Sequence, residues 1–278
     1  MRGVTEQGEG GQGLITSTSN STIKLVRGLR ARKERDRQGR YFVEGIHIVG
    51  EAAQNGAQID LLIVAPGLLT SQFAQGIAEQ LRREGVLTLT VSDDVFRSLS
   101  LRDGPQGIAA VVRQRWQALG SLRPAGQELW VALESVQDPG NLGAVLRTAD
   151  AVGAKGVILL GQSTDAYDPA SIRSSMGSVF SLRLVRAEGA EFIAWCRSNT
   201  VSVVGTSGAG AVSYRQLRYP SPLVLLSGSE RQGLSADLLA GCDSVVRIPM
   251  VGRPDSLNLA VATSVVLYEI FAQWHPSA

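Results

Sequence analysis

Two glycine-containing loops in the C-terminal half of this 278-residue chain have the residue types of a ligand-binding site. The first loop, 227–233, follows the apolar run 223–226. The second, 252–258, follows a run that ends at 250, and it opens a long apolar helix. Such runs are typical of buried strands, and glycine lets backbone amides and carbonyls approach a ligand closely. Because ligands collect at the carboxyl ends of strands in open α/β sheets, we expect both loops to form one binding site at that edge.

A third segment, the turn 138–141, leads into a helix that ends at Gly153. The apolar residues of this helix fall on one face, whereas Arg147 lies more than about 100° away at 3.6 residues per turn. Arg147 should therefore point away from its own core, toward solvent, RNA or a partner subunit. Asn141 has two interpretations that the sequence leaves open, a helix N-cap and a functional residue.

These segments resemble the signature motifs of the SPOUT methyltransferases, in the branch of TrmH-like and SpoU-like RNA ribose 2′-O-methyltransferases. Segment 141–149 is similar to the first motif, and 173–178 is similar to a less specific stretch near the substrate. The later motifs are matched by Gly228, Ser229, Glu230, Gly233 and Leu234, then by Ile248, Pro249, Met250 and Gly252, then by Ser256, Leu257 and Asn258, ahead of Tyr268 and Glu269. One such motif would be a weak signal, but three in the family's order are specific.

The resemblance implies both a fold and a chemistry. The fold is α/β, with a C-terminal parallel-sheet domain whose last region threads through a loop as a trefoil knot, a rare exception to the rule against threading. The chemistry is methylation of an RNA ribose hydroxyl with S-adenosylmethionine, by a homodimer in which each site is completed by its neighbour. In the family, an arginine that matches Arg147 activates that hydroxyl. Because arginine hardly deprotonates, we expect Arg147 to stabilise charge and orient phosphate more than to act as a literal base.

Residue types and the resemblance together give a predicted site. The predicted catalytic residues are Arg147, Asn141, Glu230, Ser256 and Asn258, and the predicted cofactor-binding residues are Thr206, Gly228, Ile248, Met250 and Leu257. Apolar side chains beside backbone polar groups suit adenine, whose faces need apolar contact and whose edge needs hydrogen bonds. Three residues keep a structural alternative: Glu230 could stabilise its loop, Ser256 could cap the last helix, and Thr206 could belong to an ordinary loop. The glycines of 205–210 have the wrong order for a dinucleotide-binding loop.

Basic residues are concentrated near the N-terminus, although the whole chain has a net charge of only +2. The segment 21–40 carries a net +6, and Ile23, Val26 and Leu29 recur at helical spacing beneath the charges. This pattern predicts an amphipathic helix with a cationic outer face, which suits a polyanion such as RNA. The predicted RNA-binding residues are Arg27, Arg30, Arg32, Lys33, Arg35 and Arg40. The alternative is a solvated charged helix.

Composition and element pattern predict the domain organisation. Residues 1–20 are rich in glycine and poor in apolar residues, so we expect a disordered arm. Residues 21–113 alternate helix and strand patterns, which predicts a small α/β RNA-binding domain. Its Arg32, Lys33, Arg35, Phe42, 44–45 and 105–107 resemble the substrate-binding domain, similar to certain ribosomal proteins, of many family members. Breakers in 114–128 predict a linker, and 129–278 is the predicted catalytic domain.

The remaining features exclude other classes of protein. Cys196 and Cys242 lack metal-ligand spacing, and the only histidines are His47 and His275, so we expect neither a metal site nor a Cys-His nucleophile. The cysteines are interpreted as buried thiols of a reducing compartment. The start of the chain lacks the apolar core of a signal peptide, and the apolar stretch 257–274 contains polar residues that indicate a core helix, so we expect a cytoplasmic protein.

The N-terminal domain resembles that of members that act on ribosomal RNA, which makes ribosomal RNA methylation the first hypothesis. Ribose methylation of tRNA is the alternative enzyme activity, and an antibiotic-resistance methyltransferase of the large ribosomal subunit is a further one. A catalytically silent RNA-binding protein is the alternative from another class, which the retained motif residues disfavour. The nucleotide that is modified cannot be read from the motifs.

Overall fold

The structure is a computed structural model that describes residues 13–253 and 255–276. The chain divides after Arg113 into two compact units, each with its own sheet.

The N-terminal unit is a four-stranded mixed sheet with helices packed against it. Its elements are α1 Ser21–Gly28, α2 Arg32–Gln38, β1 Arg40–Glu44, α3 Ile46–Gln54, β2 Ile59–Val64, α4 Gln72–Arg83, β3 Thr88–Thr90, α5 Asp93–Leu99 and β4 Ile108–Arg113. The strand order is β1-β4-β2-β3, and only the β2–β3 pair is parallel. Ile23, Val26 and Leu29 are buried in its core together with Ile63 and Phe96, as their helical spacing predicts.

The structure corrects two predictions for the start of this unit, one of them in part. The segment 21–40 forms two helices and not one, because α1 ends at Gly28 and α2 begins at Arg32. Residues 1–12 of the predicted disordered arm lie outside the described residues, but 13–20 are ordered. Ile15 pairs with Val91 beside β3, and the Asn20 side chain caps α1. Composition alone missed these two local anchors.

The C-terminal unit is an eight-stranded, fully parallel sheet with helices around it. Its elements are β5 Trp116–Gln117, a 3-10 turn Leu119–Ser121, β6 Leu129–Glu134, α6 Pro139–Ala151, β7 Gly156–Leu160, α7 Pro169–Ser175, α8 Ser178–Ser181, β8 Arg183–Ala187, α9 Gly189–Ser198, β9 Ser202–Thr206, β10 Val212–Ser213, β11 Leu223–Ser227, α10 Ala236–Ala240, β12 Ser244–Arg247 and α11 Leu259–Trp274. The strand order is β10-β12-β9-β11-β6-β7-β8-β5. Strands β7 and β11 are buried at every position, which is typical of a sheet covered on both faces. The predicted parallel α/β fold is confirmed.

The segment 114–128 is part of this unit and does not behave as a free linker. Trp116 pairs with Leu184 and Gln117 with Val185, so the chain forms an edge strand within two residues of the boundary. Leu119 and Leu122 are buried in the core of the sheet. The breakers between them shape a turn, and the apolar residues anchor it.

The strand order brings the functional loops together. The chain leaves β11 at the centre of the sheet, reaches β12 on the far side of β9, and returns as α11 to pack on α6 and β11. The loops after β6, β11 and β12 therefore all lie at the carboxyl edge of the sheet. The trefoil knot along this path stays a prediction.

Candidate active site at the carboxyl edge of the parallel sheet

Three side chains from three separate segments of the chain form a continuous hydrogen-bonded network at this edge. Asn141 Nδ2 donates to Glu230 Oε1 at 3.1 Å, and Asn258 Nδ2 donates to Asn141 Oδ1 at 2.9 Å. Asn258 Oδ1 in turn accepts the backbone N–H groups of Ala260 and Val261 at 2.9 and 3.3 Å. The structure thus brings together Asn141, Glu230 and Asn258, which the sequence predicted from three motifs. We call them the polar network.

Glu230 is an ionised acceptor in this network. Besides Asn141, its carboxylate accepts the backbone N–H groups of Gln137 at 3.2 Å and Asp138 at 3.4 Å. Partial burial raises the pKa of Glu230, but the hydrogen bond from Asn141 and the backbone N–H groups outweigh it, and the pKa lies below its ordinary value of 4.5. The carboxylate therefore stays charged at neutral pH and holds the loop after β6 against the loop after β11.

The sequence left open whether Asn141 and Ser256 act as helix caps, and the structure shows that neither does. Asp138, and not Asn141, is the N-cap of α6, since its Oδ1 accepts the Asn141 N–H at 2.7 Å. Asn258, and not Ser256, caps α11. The side chain of Asn141 is thereby left for Glu230 and Asn258. Ser256 is exposed, and its hydroxyl forms no hydrogen bond within the part of the chain that the structure describes.

Arg147 lies apart from the network. Its side chain is exposed, as predicted, and has no hydrogen bond or ion pair among residues 13–253 and 255–276. It follows Asn141 by six residues on the same helix, which places it about 9 Å farther along the axis and about 120° around it. Arg147 and Asn141 therefore face different surroundings within one chain.

The predicted cofactor residues lie on loops at the same edge. Thr206 ends β9, and its hydroxyl lies 3.2 Å from Ser227 Oγ. Gly228 follows Ser227, and a Cβ there would collide with the backbone of Gly233 and Leu234. The glycine is thus explained by closure of its own loop, in which Ser229 and Gly233 exchange backbone hydrogen bonds at 3.0 and 3.1 Å.

The loop after β12 has free backbone groups beside exposed apolar side chains. Met250 and Leu257 are each 39% exposed, and Ile248 is half-buried. Within 248–253 and 255–257, no backbone N–H or C=O group forms a hydrogen bond to another described residue. Free backbone donors and acceptors next to apolar side chains fit an adenine-containing cofactor, as the residue types of this loop predict.

Most of the predicted RNA-binding cations make contacts within the N-terminal unit. Arg35 is buried, and its Nη1 donates to the carbonyls of Leu29 and Arg30 at 3.0 and 2.7 Å, so its role is to hold the end of α1. It cannot contact RNA in this position, which corrects the prediction for this residue. The other contacts are Arg27 with Ser98, Arg30 with the carbonyls of 98–100, Arg32 with Asp36, and Arg40 with Asp60. Lys33 is exposed.

The structure also shows hydroxyl groups near the site that are not among the residues predicted from the sequence. Ser264 Oγ donates to Thr148 Oγ1 at 2.9 Å and joins α11 to α6. Thr263 Oγ1 donates to Ser227 Oγ at 3.0 Å and joins α11 to β11. A pair of adjacent hydroxyl residues in the first half of the helix 259–274, where all other residues are apolar, is the signal that could have found them.

No helix of the described residues is both long and apolar enough to cross a membrane. Nor do residues 13–253 and 255–276 contain a group of three or more His, Cys, Asp or Glu side chains placed to hold a metal ion.

Comparison with known proteins gives matches to both units. Residues 128–268 match the SpoU rRNA Methylase family, and residues 20–110 match the MRM3-like substrate binding domain. The 23S rRNA (guanosine(2553)-2'-O)-methyltransferase RlmP of Bacillus subtilis is 30% identical over 257 residues, which cover 92% of this chain and 98% of that protein. The 23S rRNA (uridine(2479)-2'-O)-methyltransferase of Streptomyces viridochromogenes is 32% identical over 249 residues, with 87% and 86% covered.

A solved structure supports the same relationship. The AdoMet-bound rRNA methyltransferase from Sinorhizobium meliloti superimposes with a TM-score of 0.85 at 39% identity, and the match covers 93% of this chain and 97% of that one. Because the matched family model spans half of the chain and the relatives align along nearly its whole length, the chain belongs to the SpoU rRNA methylase family.

Proposed function

We propose that this protein is an S-adenosylmethionine-dependent RNA 2′-O-ribose methyltransferase that acts on ribosomal RNA of the large subunit. The observation that carries the proposal is the polar network, which joins three segments at the carboxyl edge of the sheet, beside the free backbone groups of 248–253 and 255–257. The names of the two relatives, both 23S rRNA 2′-O-methyltransferases, support the substrate class. The S. meliloti structure with bound AdoMet supports the cofactor.

The loop after β12 is the proposed cofactor site. Its backbone groups would bind the edge of adenine, and Ile248, Met250 and Leu257 would cover its faces. Thr206 and Gly228 lie at the ends of the two neighbouring strands and would border the same site. When bound, S-adenosylmethionine supplies an electrophilic methyl group.

The chain's own residues then have to orient the ribose and stabilise charge. As the 2′-hydroxyl attacks, negative charge develops on its oxygen, so a fixed cation close to that oxygen accelerates the reaction. Arg147 is the cation that we assign to this role, as a donor of hydrogen bonds and positive charge and not as a base. Ser256, whose hydroxyl is exposed on the loop beside Asn258, would contact the substrate. The polar network positions this loop and need not itself exchange a proton.

The enzyme is proposed to work as a homodimer in the cytoplasm. Val261 and Tyr268 of α11 are 50% and 53% exposed, and they lie seven residues apart on one face of the helix. Together they form an exposed apolar stripe on the outside of α11, and we propose that a second subunit covers it. A neighbour's Arg147 would then complete the site, because Arg147 lies apart from the polar network within its own chain.

The N-terminal unit is proposed to bind the RNA. Arg27, Arg30, Arg32, Lys33 and Arg40 stay candidates for phosphate contacts, and Arg35 is excluded by its burial. Arg30 uses only its Nη2 atom for the carbonyls of 98–100, so its other N–H groups stay available for a phosphate.

The test is transfer of labelled methyl from S-adenosylmethionine to total ribosomal RNA that lacks this modification, with the site mapped by primer extension at low nucleotide concentration. We expect a single stop in the large-subunit RNA. Methylation of purified tRNA with ribosomal RNA inert would instead establish the tRNA activity. No incorporation into either RNA, together with no cofactor binding by calorimetry, would refute the enzymatic function.

A further inference from the structure

Three hydroxyl side chains form a second hydrogen-bonded chain, buried beneath the carboxyl edge. Thr263 Oγ1 lies 3.0 Å from Ser227 Oγ, which lies 3.2 Å from Thr206 Oγ1, and Thr206 Oγ1 lies 3.4 Å from the carbonyl oxygen of Leu226. Ser227 and Thr263 are almost completely buried, whereas Thr206 is half-buried. We call these three residues the hydroxyl chain.

The hydroxyl chain joins the ends of three elements. Thr206 is the last residue of β9 and Ser227 the last residue of β11, so each immediately precedes a loop of the site. Thr263 lies in the second turn of α11, five residues after its cap Asn258. The hydroxyl chain therefore fixes the distance between α11, which follows Leu257, and the two strand ends that border the proposed cofactor site.

Packing alone does not require these hydroxyl groups. Valine has nearly the shape of threonine, so a valine at 263 would fill the same volume on the buried face of α11, beside Val266 and Leu267. A buried hydroxyl instead costs free energy unless it is hydrogen-bonded. Ser227, Thr206 and the Leu226 carbonyl satisfy this need only in one relative placement of α11, β11 and β9. The hydrogen bonds thus fix the relative position of these three elements, whereas apolar packing alone would allow several positions.

We propose that Ser227 and Thr263 are positioning residues for the cofactor: through the hydroxyl chain, they hold Thr206 and the start of α11 at the separation that the bound cofactor requires. This inference rests on the proposed function, because it assigns the loops after β9, β11 and β12 to S-adenosylmethionine. Neither residue touches the ligand in this arrangement. They affect cofactor binding indirectly, because they set the positions of Thr206 and Leu257.

The experiment compares two substitutions at one position in the full-length protein. Thr263→Val keeps the shape and removes the hydroxyl, and Thr263→Ser keeps the hydroxyl and removes a methyl group. The dissociation constant of S-adenosylmethionine is measured by calorimetry, the KM for ribosomal RNA by methyl transfer, and stability by urea unfolding. Ser198→Ala, which removes an exposed hydroxyl that bonds only within α9, is the matched control.

We expect Thr263→Val to weaken cofactor binding about fivefold, the equivalent of one hydrogen bond, while the KM for RNA stays unchanged. Thr263→Ser and Ser198→Ala should bind the cofactor as the unsubstituted protein does. Ser227→Ala should weaken binding as well, and adding Thr263→Val to it should weaken binding no further, because both act through the same hydrogen bond.

Two results would overturn the inference. If Thr263→Val loses stability but binds the cofactor normally, the hydroxyl chain serves the fold alone. If Thr263→Ser weakens binding as much as Thr263→Val, any change of packing at this position disturbs the site, and the hydrogen bond of the hydroxyl has no specific role. Absence of cofactor binding by the unsubstituted protein is a separate result, and it would refute the proposed function.

Discussion

Substitution of Asn141 by aspartate tests whether the polar network positions the site or performs chemistry. The substitution keeps the size of the side chain and its Oδ1, so the hydrogen bond from Asn258 is preserved. The Nδ2 donor that faces Glu230 at 3.1 Å becomes a carboxylate oxygen. Asn141 lies in the first turn of α6, where a negative charge is favourable, so the fold should tolerate the change. The damage is thus confined to one contact.

The magnitude follows from the distance between the two carboxylates. Two like charges about 3 Å apart repel by about 1 kcal/mol in water and by about 5 kcal/mol at an effective dielectric constant of 20. The network is exposed, so we take about 2 kcal/mol, which lowers kcat/KM for RNA about thirtyfold if the repulsion separates the two loops. The assay is labelled methyl transfer to ribosomal RNA, with urea unfolding to show that the fold is retained.

A second substitution should reverse much of this loss. Glu230→Gln alone replaces one carboxylate oxygen by an N–H donor, which must then face another donor. We expect this to cost about 1 kcal/mol in kcat/KM for RNA. Combined with Asn141→Asp, the same amide donates to the introduced carboxylate. The double variant should therefore be more active than Asn141→Asp, although Glu230→Gln is harmful by itself. As the pH falls, Asn141→Asp should also recover activity, because one of its two close carboxylates becomes protonated and then donates a hydrogen bond to the other.

The opposite pattern would refute the positioning role. If Glu230 acts directly on the substrate, the double variant will be at least as inactive as either single variant, and low pH will not restore Asn141→Asp. The unsubstituted protein is the control for the effect of pH on activity. Its Glu230 stays ionised as the pH is lowered, because the pKa of Glu230 lies below its ordinary value. The ionised Glu230 carboxylate thus stabilises the fold at pH values above the ordinary carboxyl pKa, and this stabilisation is lost as the pH falls through the lowered pKa of Glu230. Below that pH, the free energy of unfolding of Glu230→Gln should equal that of the unsubstituted protein.

Arg147→Ala should lower kcat at least about a hundredfold while leaving the calorimetric affinity for S-adenosylmethionine unchanged; loss of cofactor binding would show that its role is misassigned. Arg35→Ala should destabilise the protein by about 2–4 kcal/mol in urea unfolding, because it leaves two carbonyls without their buried donor. Lys33→Ala should leave stability unchanged and reduce the salt dependence of RNA binding by about one unit of slope or less, and an unchanged slope would remove this residue from the interface. Burial raises the pKa of the Cys196 thiol to about 12 and that of Cys242 to about 11, so thiol reagents should react slowly at pH 8 in the native protein and rapidly in urea; fast native reaction would contradict this.

The sequence was sufficient for the fold class and for the members of the polar network. The buried strands of the parallel sheet could be predicted from runs of apolar residues, because a strand that is covered on both faces is apolar at every position. Motif order gave Asn141, Glu230 and Asn258. The caps were less accessible, because Asp138 and Asn141 are both good cap residues, and only the backbone geometry decides between them.

The sequence could not give the roles of the basic residues. A run of arginines predicts a polyanion surface, but Arg35 faces inward because the chain turns between α1 and α2 and needs a donor for its free carbonyls. Arg27 before that turn and Arg30 within it hydrogen-bond to Ser98 of α5, 71 and 68 residues later in the chain. Periodicity within 21–40 contains no information on such a distant partner.

Arg147 raises the question of which chain it serves, and a mixture of variants can answer it. Residues six apart on a helix differ by about 120°, so α6 cannot present Asn141 and Arg147 to the same site of one chain. If a neighbour's Arg147 completes the site, a mixed dimer of Arg147→Ala and Asn141→Asp subunits contains one site with both residues intact. Equal mixing of subunits should then restore about a quarter of the unsubstituted activity, because half of the dimers are mixed and each has one working site. If Arg147 serves its own chain, every site in the mixture keeps one defect, and mixing restores nothing.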